Sequence, residues 1–328
     1  MQGESLFPFF YAMYVNDIEI ELIKQECPSY ELKMLNLYLL MYADDTVLFS
    51  ENVQELQNMI NVVNICSNEY NLHVNLLKTK VVIFRNRGNI KSEEKWYLNG
   101  ESIEICNAFM YLGILLNYNG VFTNAQQMLS NQGEKLAVFS LFSKIQDDYF
   151  NTETLLSLFD TYVNSIVNYG CEVWGFHKGV NIETLHLSFL KRVLKVRKST
   201  SNYMVYFELG RFPLYINRYC RMLKYWFKIL KTENCILKNC YEDMFESSAF
   251  KPNDKLNWGC KIRDILCKYG FNHVWLSQNV VNEDIFMLEF KQRVIDTFLN
   301  EAISFFLKNR QNVISISIYM MTITCNFI

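Results

Sequence analysis

The chain has 328 residues, half of them hydrophobic and 15% aromatic, with 20% charged and few Gly or Pro. That length allows about two domains, and the composition excludes global disorder. The net charge of −2 hides an asymmetry: residues 1–60 hold ten acids and two bases, whereas residues 189–231 hold eleven bases and one acid. Ten cysteines are present with no Cys-x-x-Cys spacing, and neither Cys235/Cys240 nor Cys260/Cys267 has paired histidines nearby, so no zinc motif is read. No signal peptide opens the chain, and the cysteines read as reduced thiols of an intracellular protein, in nucleus or cytoplasm.

In chain order, residues 4–21 read as a helix with Phe9, Met13 and Ile20 among its apolar positions. Residues 37–49, LYLLMYADDTVLF, place two adjacent carboxylates, Asp44 and Asp45, between two runs of strand length and composition. The reading is a β-hairpin with the aspartates at its turn. A solvated turn is one account, since Asp favours turns. The other is a metal site: no Gly or Asn supplies the positive φ of a tight hairpin, and two like charges at a packed tip repel unless a cation joins them. A helix follows, with Ser50 as its expected cap and Leu56, Ile60, Val63 and Tyr70 near one face. Residues 71–75 turn the chain, residues 81–84 read as a buried strand, and residues 85–95 as a polar loop. Asn99-Gly100 marks a type I′ hairpin between residues 96–98 and 101–105, and residues 109–114 continue as sheet.

From about Thr123 the apolar period becomes helical. Residues 152–169 read as one helix ended by Gly170, and 171–175 as a buried turn. The next helix, about 183–198, stacks Lys191, Lys195 and Lys198 on one face. A third starts near Pro213 and projects Arg218, Arg221, Lys224, Lys228 and Lys231 from a basic face. Two basic amphipathic helices suit a duplex backbone, and a solvated face, a membrane-surface helix or a partner helix are the alternatives. Residues 245–257 read as loop, 258–269 and 284–310 as helices, and the uncharged tail 311–328 as too polar and short for a membrane span.

Tyr42-Ala43-Asp44-Asp45 between apolar strands resembles the catalytic box of reverse transcriptases. Its neighbours resemble, in order, other boxes of the non-LTR (LINE-type) retrotransposon polymerases: Gln2-Gly3 with Leu6-Phe7-Pro8 and Asn16-Asp17 upstream, Asn75 to Lys80 downstream, then the primer-grip box Phe109-Met110-Tyr111-Leu112-Gly113. Phe7 stands where the family has Ser. The resemblance covers roughly the first third of the chain, with a less diagnostic likeness over about 155–230.

The resemblance implies an α+β fold: an incomplete polymerase palm, a small antiparallel sheet with helices, followed by a mostly α-helical thumb-like domain. The expected divisions are 1–85 partial palm, 86–122 hairpin and primer-grip-like segment, 123–232 helical basic region, 233–310 helical C-terminal region and 311–328 tail. It implies Asp44 and Asp45 as catalytic metal ligands for weakly bound Mg²⁺ or Mn²⁺, and Gln2, Gly3, Tyr42 and Lys78 beside template and incoming nucleotide. It further implies Tyr111, Leu112 and Gly113 as the primer grip. Lys191, Lys195, Lys198, Arg218, Arg221, Lys224 and Lys228 are the expected backbone contacts. The implied partners are an RNA template, a DNA primer and a deoxynucleoside triphosphate, with no membrane. In the family a further strand bearing a third carboxylate precedes the first box, so the chain reads as N-terminally truncated, its polymerase activity weak or lost alone. The alternatives are a non-catalytic nucleic-acid-binding module and an inert retrotransposon remnant.

Overall fold

The computed structural model describes residues 7–33, 35–85, 88–137, 150–252 and 254–308. Gln2, Gly3 and the tail 311–328 lie outside the described residues. The chain divides into two compact units, one of residues 1–125 with 231–260 and the other of 126–230 with 261–328.

The first unit opens with α1 (Phe7–Val15) and α2 (Asp17–Lys24), two helices where a single one was expected, the break falling at Asn16. Hairpins β1 (Tyr30–Leu32) with β2 (Leu35–Leu37) and β3 (Leu39–Tyr42) with β4 (Asp45–Leu48) follow. Next comes α3 (Val53–Glu69). Its cap is Asn52, whose side chain accepts from the Glu55 amide at 2.9 Å, rather than Ser50. Ser50 supports the cap, bonding Glu55 Oε2 at 3.2 Å. Strands β5 (Lys80–Val81), β6 (Tyr97–Leu98), β7 (Glu101–Ser102), β8 (Glu104–Ile105), β9 (Ala108–Tyr111) and β10 (Ile114–Asn117) complete the β content among the described residues.

These strands form separate two-stranded ladders rather than one small antiparallel sheet, and β5 runs parallel to β8. The expected strand over 81–84 shrinks to Lys80–Val81, and Phe84 is exposed. Its short parallel ladder is clamped by Lys80 Nζ on Glu104 Oε2 at 2.5 Å.

One core of this unit gathers Val15, Ile18, Leu22, Leu39 and Met59, so that α1, α2, β3 and α3 share it. A second gathers Ile60, Val81, Trp96, Leu98 and Ile103 beneath the β6–β7 hairpin. Asn99 (φ 52°) and Gly100 (φ 82°) both take the left-handed backbone of a type I′ turn, as the dipeptide predicts. Gln57 exchanges two hydrogen bonds with the backbone of Tyr97, at 2.8 and 2.9 Å, and Trp96 Nε1 donates to the Val53 carbonyl at 3.0 Å. Residues 235–250, part of which reads as loop, form a helix against β1 and β2, and Lys33 reaches Glu246 at 2.6 Å.

The second unit is helical among its described residues. It includes most of α4 (Thr123–Ala137), then α5 (Val180–Val193), α6 (Leu214–Leu230) and α7 (Glu283–Lys308). The stretch expected as one helix over 152–169 passes through a π-helical segment, Phe159–Val163. Trp174, Phe159, Phe189, Trp226 and Phe290 are fully buried. At Gly133 an added Cβ would stand 2.5 Å from Val167, which is why α4 approaches so closely there.

His186 is buried in this core, stacked on Phe159 at 5.2 Å. Burial, aided by the charges of Arg211 and Arg218, lowers its pKa to about 3 from an ordinary 6.5. The unfolded chain therefore takes up a proton near pH 6.5 that the folded chain refuses until about pH 3. This contribution to stability is whole above pH 6.5 and is lost as pH falls through that window. Urea midpoints should show roughly 2 kcal/mol more destabilisation between pH 7.5 and 5.0 in the natural chain than in His186→Phe. Equal pH slopes in the two chains would refute the neutral buried imidazole.

Candidate active site

The register of β3 and β4 pairs Tyr42 with Asp45 and leaves Ala43-Asp44 as a two-residue turn. Ala43 has a φ of 50°, supplying the positive φ that Gly or Asn would otherwise bring. An Ala there costs about 1–2 kcal/mol. Asp44, Asp45 and Tyr42 are all exposed at the hairpin tip. Two acceptor-only carboxylates held out on a tight turn are free to take a hard cation, and the local strain is where such sites often keep it.

Two tyrosines flank the pair. Burial raises the Tyr11 phenol on α1 and the Asp44 charge adds to it, while burial and the Asp45 charge raise the Tyr111 phenol on β9. The charge of the aspartate turn is thus felt both at Tyr11 on α1 and at Tyr111 on the β9–β10 hairpin. A cleft of about 510 Å³ lies between α1 and the hairpin, lined by Ala12, Val15, Asn16, Met41, Tyr42 and Ala43. Tyr11 is the residue that sequence reasoning missed. It sits in an apolar run of a helix, and nothing local distinguishes it from a core position.

Leu112 (φ 46°) and Gly113 (φ 79°) form the turn between β9 and β10, with Tyr111 opposite Ile114. Both φ values are positive, the type I′ requirement, and Gly113 meets it without strain. Lys78 stands exposed at the end of the turn begun by Asn75, whose carbonyl accepts from the Lys78 amide at 3.1 Å.

The basic residues separate into different environments. α5 ends at Val193, short of the expected 198, and Lys195 takes a left-handed φ of 53°. Lys191, Lys195 and Lys198 are therefore not one helical stack. Lys191 Nζ instead folds onto the Lys198 carbonyl at 2.7 Å. On α6, Arg221, Lys224 and Lys228 share one exposed stripe, with Arg221 bidentate on Glu172 Oε1 at 2.6 and 2.8 Å.

Arg218 is placed differently from the sequence expectation. Its side chain is 0% exposed, so it is not a backbone contact. It donates to Asn168 Oδ1 at 3.1 Å, to Glu183 Oε1 at 2.7 Å and to the Lys178 carbonyl. Glu183 in turn accepts the Leu214 and Tyr215 amides at 3.0 and 2.8 Å, capping α6 from another helix. Burial pushes the Glu183 carboxyl up, against the pull of Arg218 and these two amides.

Among the described residues, no three His, Cys, Asp or Glu side chains gather as a metal site. Asp44 and Asp45 supply two hard oxygen donors. That fits Mg²⁺, which binds through one or two carboxylates and completes its shell with water and substrate phosphate. Also among the described residues, no helix is long and apolar enough to cross a membrane.

Residues 1–116 match the family model for reverse transcriptase (RNA-dependent DNA polymerase). The aspartate turn, Tyr11 and the Leu112-Gly113 turn all lie inside that match. The chain is also similar to an uncharacterised transposon-derived protein of Caenorhabditis elegans, 27% identical over an alignment of 169 positions that covers 49% of this chain and 58% of that protein. This chain thus spans 58% of the length of the curated relative it matches. No solved structure matches it.

Proposed function

We propose that the first unit is palm structure of a LINE-type RNA-directed DNA polymerase. In this reading Asp44 and Asp45 hold a divalent ion for nucleotidyl transfer to a primer 3′-hydroxyl. The observation that carries it is the exposed Asp44-Asp45 pair on a two-residue hairpin turn, its charge felt at Tyr111, inside the stretch that matches the reverse transcriptase family. Mg²⁺, when bound, would lower the cost of gathering charge on the transferring phosphoryl group. The chain's own residues orient the reactants. Asp44 and Asp45 fix the ion, the Tyr111–Gly113 turn supports the primer end, and Lys78 approaches the triphosphate. Positioning supplies much of the acceleration in such chemistry, so the rate depends on how firmly the two carboxylates hold the ion against the primer end. The test is primer extension on an RNA template with Mg²⁺ or Mn²⁺. Extension that persists without either aspartate would refute the assignment.

The exposed stripe Arg221, Lys224 and Lys228 supports a second role within the same reading: holding the duplex backbone without reading sequence. Affinity for a primer–template duplex should fall steeply with salt. The slope of log K against log[salt] should be shallower by about 2 in the double variant Lys224→Gln, Lys228→Gln. A slope near zero in the natural chain would remove the contact, and an unchanged slope in the variant would move it elsewhere.

A further inference from the structure

The helical unit contains a cavity of about 180 Å³ that shares no residue with the aspartate hairpin. Asp160, His186, Gly210, Arg211, Asn217 and Lys291 supply its chemistry. His186 is 1% exposed, and neither of its ring nitrogens has a hydrogen-bond partner among the described residues. Arg211 uses Nη2 on Asp160 Oδ2 at 2.5 Å and on the Leu156 carbonyl at 3.3 Å, which leaves its buried Nε without a partner. Buried polar atoms are overwhelmingly paired, and His186 and Arg211, both in the wall of one cavity, carry unpaired nitrogens just behind its surface that a small shift of the wall would present to a partner. Asp160 reaches the cavity from the π-helical segment, and such segments are frequent at functional sites.

The chemistry of the lining decides what the partner is. The free groups are mostly donors: one imidazole N–H, the Arg211 Nε–H, the Lys291 ammonium and the Asn217 amide, while the second nitrogen of the neutral imidazole is an acceptor that the hydroxyl of a protonated phosphate can meet. The one carboxylate, Asp160, already serves Arg211. A donor-rich cavity with two cations and one anion suits an oxyanion. Its size excludes a whole nucleoside, since pockets for drug-sized molecules run to about 300–1,000 Å³, and it leaves room for one phosphoryl group. Gly210, Asn217 and Lys291 are exposed, so the cavity has a mouth.

We propose that this cavity binds a phosphate or the phosphoryl end of a phosphate monoester, with Arg211 Nε and His186 donating inside and Lys291 closing on the anion at the mouth. The site stands apart from nucleotidyl transfer and does not depend on that reading. The full chain is titrated calorimetrically with inorganic phosphate against chloride of equal ionic strength, and with a 5′-phosphorylated dinucleotide against its unphosphorylated form. Imidazole ¹H–¹⁵N spectra follow His186. Saturable one-to-one binding with movement of the His186 signals is expected. It should weaken about tenfold or more in Arg211→Lys, which keeps the charge but loses the Nε–H, and in Lys291→Met, whose exposed site spares the fold. Tighter binding of the phosphorylated dinucleotide would assign the monoester as ligand, and equal binding free phosphate. No binding beyond the chloride control, still His186 signals, or affinity unchanged in both variants would overturn the site and leave the cavity to water.

Discussion

Replacing Arg218 by Ala should destabilise the helical unit by about 3–5 kcal/mol, the usual loss when one partner of a buried ion pair is removed. The reason lies in what stays behind. Glu183, only 15% exposed in the natural chain, would keep its two backbone amides but lose its cation, and Asn168 Oδ1 and the Lys178 carbonyl would lose their donor. Whole proteins are stable by only about 5–15 kcal/mol, so the variant should approach the folding threshold. Denaturant midpoints measure the effect directly. Arg218→Met with Glu183→Gln should recover part of the loss, because an amide still accepts from one backbone N–H and no charge is stranded. A single-variant loss under about 1 kcal/mol would mean that solvent reaches Arg218 and that the network is a surface one.

Asp44→Asn should leave the fold within about 0.5 kcal/mol of the natural chain and yet lower metal-dependent primer extension by roughly 10²–10³-fold. The two halves of that prediction come from one fact. Asp44 sits exposed in a two-residue turn, where Asn is equally at home and where loss of a like charge next to Asp45 relieves repulsion. What Asn lacks is the anionic oxygen a hard cation requires. Mn²⁺ binding followed by paramagnetic relaxation separates the outcomes even when turnover is slow. Weakened Mn²⁺ binding with an intact thermal transition supports the carboxylate site. Unchanged binding would return Asp44 to the role of a solvated turn residue.

The features legible in the sequence are those that short-range chemistry decides. Asn99-Gly100 specifies its turn through positive φ, and the apolar flanks of Asp44-Asp45 specify a hairpin that the observed register repeats. The stripe of Arg221, Lys224 and Lys228 follows from helical spacing. Arg218 occupies the same run of basic residues, but its partners come from positions 168, 178 and 183, and no helical wheel of residues 214–230 contains them. The end of α5 escaped for a related reason. Basic residues continue the period to Lys198, and only the left-handed Lys195 shows where the backbone leaves it. Tyr11 needed the fold as well, since its nearness to Asp44 joins residues far apart in the chain.

The division of the chain carries a consequence for its birth on the ribosome. The first unit is completed by residues 231–260, and Lys33 must wait for Glu242 and Glu246. At about 5–20 residues per second, the roughly 135 residues between the end of its first segment and the end of its second take about 7–27 s to emerge. During that interval the hairpin β1–β2 has no helix over it, and its strand edges are open to other nascent chains. The helical stretch that interrupts the unit is synthesised in the same interval, so translation speed, more than any single contact, sets how long the aspartate-bearing half is exposed to misassembly.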